Sequence, residues 1–368
     1  MIKNMKNKLL ILLIIFVLII IVGCSTVSSM DTKVPVILFA DESRSNKSEI
    51  STDTTMVAFW DIKNGQFNFE QQPLFKFKKE LDPPFQIIWD GSKNILLNNY
   101  GYLDITDLNK NYNIKQLTPP VKNISAVIHN LSEQNSVIIA AGDDKRSINF
   151  EMRQGKNIQR KSLIPPIPSN NFSIPYPLML FGSPDDYTVL VAYDVISNDP
   201  KEISNTAVGK LIVGNIRKDH IQWKEVEGNF CGSFIASGAD LTKVGNKIYF
   251  SSCDEVKELD IASKKAESKT FNEANLLIDE VRSKYKNLDF ELTPFFGGYK
   301  DILLMGINVP NEKWIWALQN GRVLGTLHFY IKDKKITVYK NNKKSIEEAL
   351  PVSLSENPFI LPKKGFST

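Results

Sequence analysis

Short apolar or alternating runs recur along the chain from Met56 onward, separated by Gly, Asn, Asp and Lys. Runs of this length between turn-forming residues are typical of β-strands. Pairs that favour tight hairpin turns stand between the runs at Asn64-Gly65, Asp90-Gly91, Gly245-Asn246 and Asn320-Gly321. The pattern therefore predicts a chain built of β-hairpins.

The spacing of the runs indicates how the hairpins combine. Residues 85–117, 124–163 and 233–270 each contain four short runs with turn residues between them. A four-stranded unit every ~40–50 residues is typical of propeller blades. About six units fit between Val34 and Lys340, and seven are possible. We therefore predict an all-β fold, a β-propeller of about six four-stranded blades. A pair of β-sandwiches or another mixed β architecture is the alternative.

One segment has helical rather than strand spacing. Between Thr270 and Leu288 the apolar residues recur every three or four positions. Thr270 and Glu273 have the spacing of a capping box. We expect one inserted helix of about 15 residues near 271–287, and a helix that covers blade edges is favoured over a functional lid.

The first residues of the chain have the organisation of an export signal. Residues 1–8 contain Lys3, Lys6 and Lys8, and residues 9–22 are apolar throughout. A basic region, an apolar region of this length and a small residue at its end are typical of a secretory signal peptide. The apolar run is shorter than the roughly 20 residues that a spanning helix needs.

The end of this segment resembles the lipobox of bacterial lipoproteins. Ile21, Val22 and Gly23 precede Cys24, although Ile stands where the family more often has Leu. The resemblance implies that residues 1–23 are removed and that Cys24 carries a diacylglycerol and acyl chains such as palmitate. Residues 25–33 are small and polar, so we expect 24–33 to form a tether, followed by a single propeller-like domain at 34–368. The resemblance also implies that this domain lies outside the cytoplasm of a bacterial cell, anchored to its membrane. The alternative is a signal anchor with a coincidental Cys.

The composition and the net charge of the chain limit the classes of partner that it can bind. The chain has 368 residues, 42% of them hydrophobic, with 45 Lys and Arg against 41 Asp and Glu. Removal of three leader lysines lowers the formal net charge from +4 to +1. A chain so close to neutral lacks the basic character that nucleic-acid binding requires. We therefore expect no nucleic-acid partner.

Cys231 and Cys253 are the thiols other than Cys24. Disulfides persist in exported proteins, so a bond between these two residues is favoured. Two separately buried free thiols are the alternative.

The ionisable residues show no pattern of a catalytic or metal site. His129, His220 and His328 lack metal-ligand spacing, and we expect no metal and no cofactor. The acidic pairs Asp143-Asp144 and Asp185-Asp186 are interpreted as solvated turns, because adjacent carboxylates cannot face each other across a cleft.

Aromatic pairs occur two residues apart at Trp314 and Trp316 and at Phe67 and Phe69. On a strand, the members of each pair share one face. Such pairs can bind sugar rings or a protein partner, but packing between blades is favoured.

Three functions fit these features. The favoured one is a membrane-anchored, non-catalytic module that binds an envelope protein or a cell-wall polymer. The alternative is an envelope polysaccharide hydrolase or lyase whose catalytic residues come from several blades. A solute-binding lipoprotein ranks last, because it would have a two-lobed α/β fold with many helices.

Replacement of the lipobox cysteine tests the localisation. We expect Cys24→Ala to abolish lipid attachment and to leave the protein uncleaved or mislocalised, because the thioether needs the thiol. Metabolic labelling with a fatty acid and the electrophoretic mobility of the product measure both effects. Acylation and processing of the variant at the same point would contradict the lipobox interpretation.

Overall fold

The structure is a computed structural model, and it describes a defined part of the chain. The described residues are 33–40, 54–69, 86–89, 94–97, 101–104, 115–116, 126–132, 135–142, 144, 146–154, 157–167, 175–183, 186–196, 207–217, 220–227, 230–231, 240–252, 255–262, 266–285, 292, 294–350, 354 and 361–364.

The strands in the described residues form six sheets, here numbered I to VI in chain order. Sheet I contains β1 (Lys33–Ala40), β2 (Thr54–Asp61) and β3 (Gln66–Phe69). Sheet II contains β4 (Gln86–Trp89), β5 (Asn94–Leu97), β6 (Gly101–Asp104) and β7 (Lys115–Gln116). Sheet III contains β8 (Ala126–Ser132), β9 (Asn135–Ala141), β10 (Ile148–Gln154) and β11 (Asn157–Leu163).

The second half of the chain forms the other three sheets. Sheet IV contains β12 (Tyr176–Ser183), β13 (Asp186–Ile196), β14 (Ala207–Arg217) and β15 (His220–Glu225), and β16 (Phe230–Cys231) pairs with β14. Sheet V contains β17 (Leu241–Val244), β18 (Lys247–Ser252), β19 (Glu255–Asp260) and β20 (Ser268–Thr270).

Sheet VI is the largest, with six strands. It contains β21 (Phe295–Tyr299), β22 (Ile302–Val309), β23 (Glu312–Gln319), β24 (Arg322–Tyr330), β25 (Lys335–Lys340) and β26 (Lys343–Ala349). The helix α1 (Asn272–Lys284) lies between sheets V and VI in the chain, and β27 (Pro362–Lys364) joins sheet II. Within the described part of the chain, no helix has both the length and the apolar character needed to cross a membrane.

The apolar cores of the described residues join sheets III, IV, V, VI and I face to face in that order. One apolar core joins sheets III and IV, a second joins IV and V, and a third joins V, α1 and VI. A fourth core joins sheet VI to sheet I, with Val36 and Trp60 packed among Ile315 and Phe329. The last sheet therefore packs on the first. Small antiparallel sheets that pack face to face in this order, with the last on the first, form a propeller-like arrangement.

The all-β prediction is confirmed, and the described residues contain one helix in the predicted segment, with two differences of detail. The described part of the unit at 233–270 begins with β17 at Leu241, because residues 233–237 lie outside the described residues. The sequence did not predict this strand, because apolar and polar residues alternate only weakly between Leu241 and Val244. Sheet VI has six strands, not four. The turn at Asn320-Gly321 is as expected, since both residues have positive φ, 49° and 76°.

The helix begins later than predicted, and the capping box is wrong. Phe271 is the N-cap residue and no side chain caps it. The Thr270 hydroxyl instead donates to Glu255 at 3.2 Å. Asn275 fixes the helix to β19, because its side chain accepts a hydrogen bond from Val256 N at 2.8 Å and donates one to Val256 O at 3.1 Å. The helix covers strand β19 and its edge groups, as expected.

The C-terminal strand lies among the first strands of three sheets. β27 pairs in parallel with β4, with Pro362 opposite Ile87, and it also packs against β17 and β21. The first strands of successive sheets line the centre of a propeller. Gly297 of β21 permits the close approach, since a Cβ at this position would lie 2.4 Å from Leu361 Cβ. The chain thus places its own C-terminal strand at the centre.

This contact predicts the effect of one added methyl group. We expect Gly297→Ala to lower the free energy of unfolding by about 1–3 kcal/mol, because the new Cβ overlaps Leu361 and overpacked sites cannot relax fully. Urea unfolding measures the change. In a Leu361→Gly background, which removes that Cβ and leaves the contact with Pro362 O at 2.8 Å, the same substitution should cost less. Equal stability of Gly297→Ala and the original chain would contradict the packing of β27 on β21.

Candidate functional site

A cluster of aromatic and ionisable side chains lies where the end of α1 meets sheet VI. Cross-strand pairing of β23 with β24 sets Glu312 opposite Tyr330 and Trp314 opposite His328. The His328 and Trp314 rings stack with their centroids 3.5 Å apart, and the Tyr330 ring lies 3.9 Å from that of His328. Lys284 of α1 places its ammonium 4.7 Å above the Trp314 ring.

A chain of hydrogen bonds runs through the cluster. Glu312 Oε2 lies 2.6 Å from His328 Nε2, and the side chain of Tyr285 is hydrogen-bonded to the same glutamate. A carboxylate only accepts hydrogen bonds, so we assign the proton of the neutral imidazole to Nε2. The acceptor His328 Nδ1 and the donor Trp314 Nε1 are buried and have no hydrogen-bond partner.

Burial dominates the electrostatics of these groups. Burial lowers the pKa of His328, and Lys284 also lowers it, while the Glu312 contact partly opposes both effects. Burial, followed by the nearby hydroxyl of Tyr339 and the Glu312 carboxylate, raises the pKa of Tyr330 to about 12. Burial and then the hydrogen bond to Glu312 raise the pKa of Tyr285. The cluster therefore holds a neutral imidazole and neutral phenols around one carboxylate.

This arrangement resembles an acid–base relay but is sealed. His328 is only 4% exposed, and its free nitrogen is buried beneath aromatic rings. A general base must reach the proton that it abstracts. The cluster therefore acts, in this conformation, as a polar joint that holds the end of α1 against sheet VI. No group of three or more potential metal ligands occurs among the described residues.

The lipobox residues Ile21, Val22, Gly23 and Cys24 lie outside the described residues. Cys231 is the last residue of β16, but its side chain is not described, and Cys253 also lies outside the described residues. The lipidation site and the disulfide both remain predictions.

The three histidines belong to three different sheets. His129 belongs to β8, where its side chain is not described, and His220 is exposed at the start of β15. His328 belongs to β24 in sheet VI. The sequence correctly placed His328 in an apolar strand but did not indicate its bond to Glu312. The hairpin at Asn320-Gly321 alone would set Trp314 opposite Leu327, and the irregularity between Ala317 and Leu318 shifts the register by one residue, so that Trp314 lies opposite His328.

The described acidic residues of the two Asp pairs lie in exposed positions. Asp144 accepts hydrogen bonds from Arg146 N at 3.0 Å and from the backbone and hydroxyl of Ser147, both at 2.8 Å. The bond from Arg146 is the largest of the effects that lower the pKa of Asp144. Asp186 pairs with Arg217 at 3.1 Å. Asp143 and Asp185 lie outside the described residues.

The aromatic pairs contribute to packing, as favoured. Phe67 is 2% exposed and contacts Phe69 and Phe329 edge to face, at centroid distances of 5.0 Å and 5.6 Å, which fixes sheet I on sheet VI. Trp314 and Trp316 stack at 5.9 Å beneath α1.

Comparisons with known proteins add resemblances of shape only. No protein-family description matches the chain, and no curated protein matches it. Apo AztD from Citrobacter koseri is similar over 90% of this chain and 98% of that one, with 10% identity and a TM-score of 0.31. The N-terminal domain of Nup159 is similar over 70% of this chain and 69% of that one, with 14% identity and a TM-score of 0.35. Scores this low leave the fold class to the sheets described above.

The buried imidazole predicts a specific pH dependence of stability. Because burial lowers the folded-state pKa of His328 below its unfolded value of about 6.5, the unfolded chain takes up this proton first as the pH falls. Stability is therefore lost as the pH is lowered through 6.5 towards the folded-state pKa, at up to about 1.4 kcal/mol per pH unit.

The variant His328→Asn should lack this component, whereas His220→Asn, at an exposed position, should retain it. Urea unfolding between pH 8 and pH 5 (about the range in which histidine titrates) measures the difference. Parallel stability curves for His328→Asn and the original chain would show that His328 titrates normally.

Proposed function

We propose that the protein is a membrane-anchored lipoprotein outside the cytoplasm, with a six-bladed propeller that binds an envelope protein or a cell-wall polymer without catalysis. The lipobox at Ile21 to Cys24 supports the anchor, since its cysteine stands where an export signal ends. Two acyl chains hold a protein durably at a membrane, whereas one chain binds only marginally.

The observation that carries the binding role is the position of β27. Propeller enzymes collect catalytic side chains from several blades around one central opening. Here Pro362–Lys364 lie among the first strands of sheets II, V and VI, and Leu361 is buried against Gly297. Because the chain's own backbone fills the centre, we expect a partner to be recognised through the rims and outer strands of the propeller.

The hydrolase or lyase alternative would use side chains that face each other across a cleft. Among the described residues, the pair of Glu312 and His328 comes nearest to such chemistry, and it lies at the joint of α1 and sheet VI. Glycoside hydrolysis normally requires a second carboxylate facing the first across the substrate. At this joint, the Glu312 carboxylate is paired with an imidazole and a phenol and not with a second carboxylate.

One assay separates binding from hydrolysis. We expect the purified full-length protein to cosediment with insoluble cell-wall material and to release no reducing ends from it. A Glu312→Gln variant should bind equally well, because Glu312 belongs to a structural joint. The same preparations are assayed after incubation with soluble wall polysaccharides.

Release of reducing ends that depends on Glu312 would establish the enzyme alternative. Failure to cosediment would exclude the cell-wall polymer as a partner and leave an envelope protein, detectable by chemical crosslinking in intact cells. Absence of both would contradict the binding role.

A further inference from the structure

The last turn of α1 is held to sheet VI in a different way from the earlier turns. The earlier turns bury Ala274, Ile278 and Val281 in the core that α1 shares with sheets V and VI. After Val281, residues 282–284 are exposed and Tyr285 is half-buried. Among the described contacts, those that tie this turn to sheet VI come from Lys284 and Tyr285.

Both of these side chains are linked to the imidazole of His328. Tyr285 is hydrogen-bonded to Glu312, whose Oε2 lies 2.6 Å from His328 Nε2. The Lys284 ammonium lies 4.7 Å above the ring of Trp314, and that ring stacks on the imidazole. Each contact that holds the end of the helix is therefore one residue away from His328.

This site suits the neutral imidazole better than the charged form. His328 Nδ1 is buried and has no hydrogen-bond partner among the described residues. A proton at this nitrogen would create a buried N–H donor without an acceptor, and a charge removed from water. Burial lowers the pKa of His328 and Lys284 lowers it further, while Glu312 opposes both effects. A conformation in which water reaches Nδ1 therefore binds the proton more tightly.

The other charged and titratable groups at the joint come from α1 and sheet VI. Burial, followed by neighbouring groups, raises the pKa of Tyr330 to about 12, so this phenol stays neutral 3.9 Å from the imidazole. Lys284 is also paired with Glu280 of its own helix at 3.5 Å. The groups that act on Tyr330 besides Glu312 are Tyr339 of β25, Glu347 of β26 and Asp333 in the turn before β25. Histidine is the side chain whose ordinary pKa lies between about pH 5 and pH 8, so His328 is the group that responds to mild acidity.

We propose that the joint is a pH-sensitive switch, in which protonation of His328 releases the last turn of α1 from sheet VI while the rest of the fold stays intact. When Lys284 and Tyr285 move away, water reaches the imidazolium and the lysine charge no longer opposes it. Asn275 keeps the earlier turns in place, because its side chain is bonded to both backbone groups of Val256. Helix ends are segments that open at low free energy. Acidity thus controls whether this end of sheet VI is covered by the helix.

Hydrogen exchange of the intact protein in low concentrations of urea tests the release. Rates are measured between about pH 7.5 and pH 5.5 and divided by the intrinsic rate at each pH. We expect the amides of residues 282–284 to exchange through an opening that urea hardly affects, because little surface is exposed. The equilibrium constant of this opening should rise about threefold to tenfold between pH 6.5 and pH 5.5, since one linked proton changes it by at most about tenfold per pH unit.

The amides of Leu277 and Ile278, in the same helix, provide the internal control. They should exchange through a larger opening that urea promotes. A constant opening of residues 282–284 over the whole pH range would overturn the proposal. A pH response confined to the urea-dependent opening would also overturn it, because the proton would then act only on global unfolding.

Replacement of the imidazole identifies the group that titrates. His328→Gln retains an amide that can donate to Glu312 but takes up no proton in this pH range. We expect the opening of residues 282–284 to become independent of pH in this variant. His220→Gln, at an exposed position of β15, should keep the full response. An unchanged response in His328→Gln would show that another group controls the helix end.

Loss of one hydroxyl tests the contact itself at neutral pH. Tyr285→Phe removes the hydrogen bond to Glu312 and should increase the opening of residues 282–284 about twofold to tenfold at pH 7.5, the range expected for one lost hydrogen bond. Tyr249→Phe is the matched control, because Tyr249 packs on Phe271 at the beginning of the helix, with ring centroids 5.2 Å apart. Equal opening in Tyr285→Phe and the original chain would mean that the joint does not hold the helix end, which overturns the switch.

Discussion

The packing of sheet VI on sheet I is the contact on which the rest of the structure depends. Each small sheet has two faces, and an antiparallel sheet of three or four strands is stable only when an apolar face is covered. Trp60, Phe67 and Val36 of the first sheet find that cover in Ile315 and its neighbours in the last. Sheets I and VI therefore depend on each other for burial, although they come from opposite ends of the described chain.

This closure explains the positions of the two features that do not belong to a repeating sheet. The helix α1 lies where sheets V and VI meet, with Ala274, Ile278 and Val281 buried in their common core. Its final turn is held by the Glu312–His328 joint, whose buried polar atoms give that contact a sensitivity to pH. The strand β27 lies on the inner side, where Gly297 leaves room for it. Both features fill space between sheets.

Much of the fold could be predicted from the sequence, because strand and turn signals are local. The hairpin at Asn320-Gly321 and the helical spacing of Ala274 and Ile278 each depend on a few neighbouring residues. The joint and the central strand could not be predicted in the same way. Glu312 meets Tyr285, and Leu361 meets Gly297, through packing between distant segments that no local pattern encodes. The capping box failed for a related reason, since Glu255 of a neighbouring strand competes for the Thr270 hydroxyl.

Native-state hydrogen exchange of the backbone amides tests the closure most directly. If sheets VI and I share one core, the amides of Trp60 and Val36 should open with the same free energy as those of Ile315 and Leu327, at the value for global unfolding. Their exchange should also converge as denaturant is added. Exchange of the sheet I amides through a separate opening of much lower free energy, with sheet VI still protected, would contradict the closed arrangement.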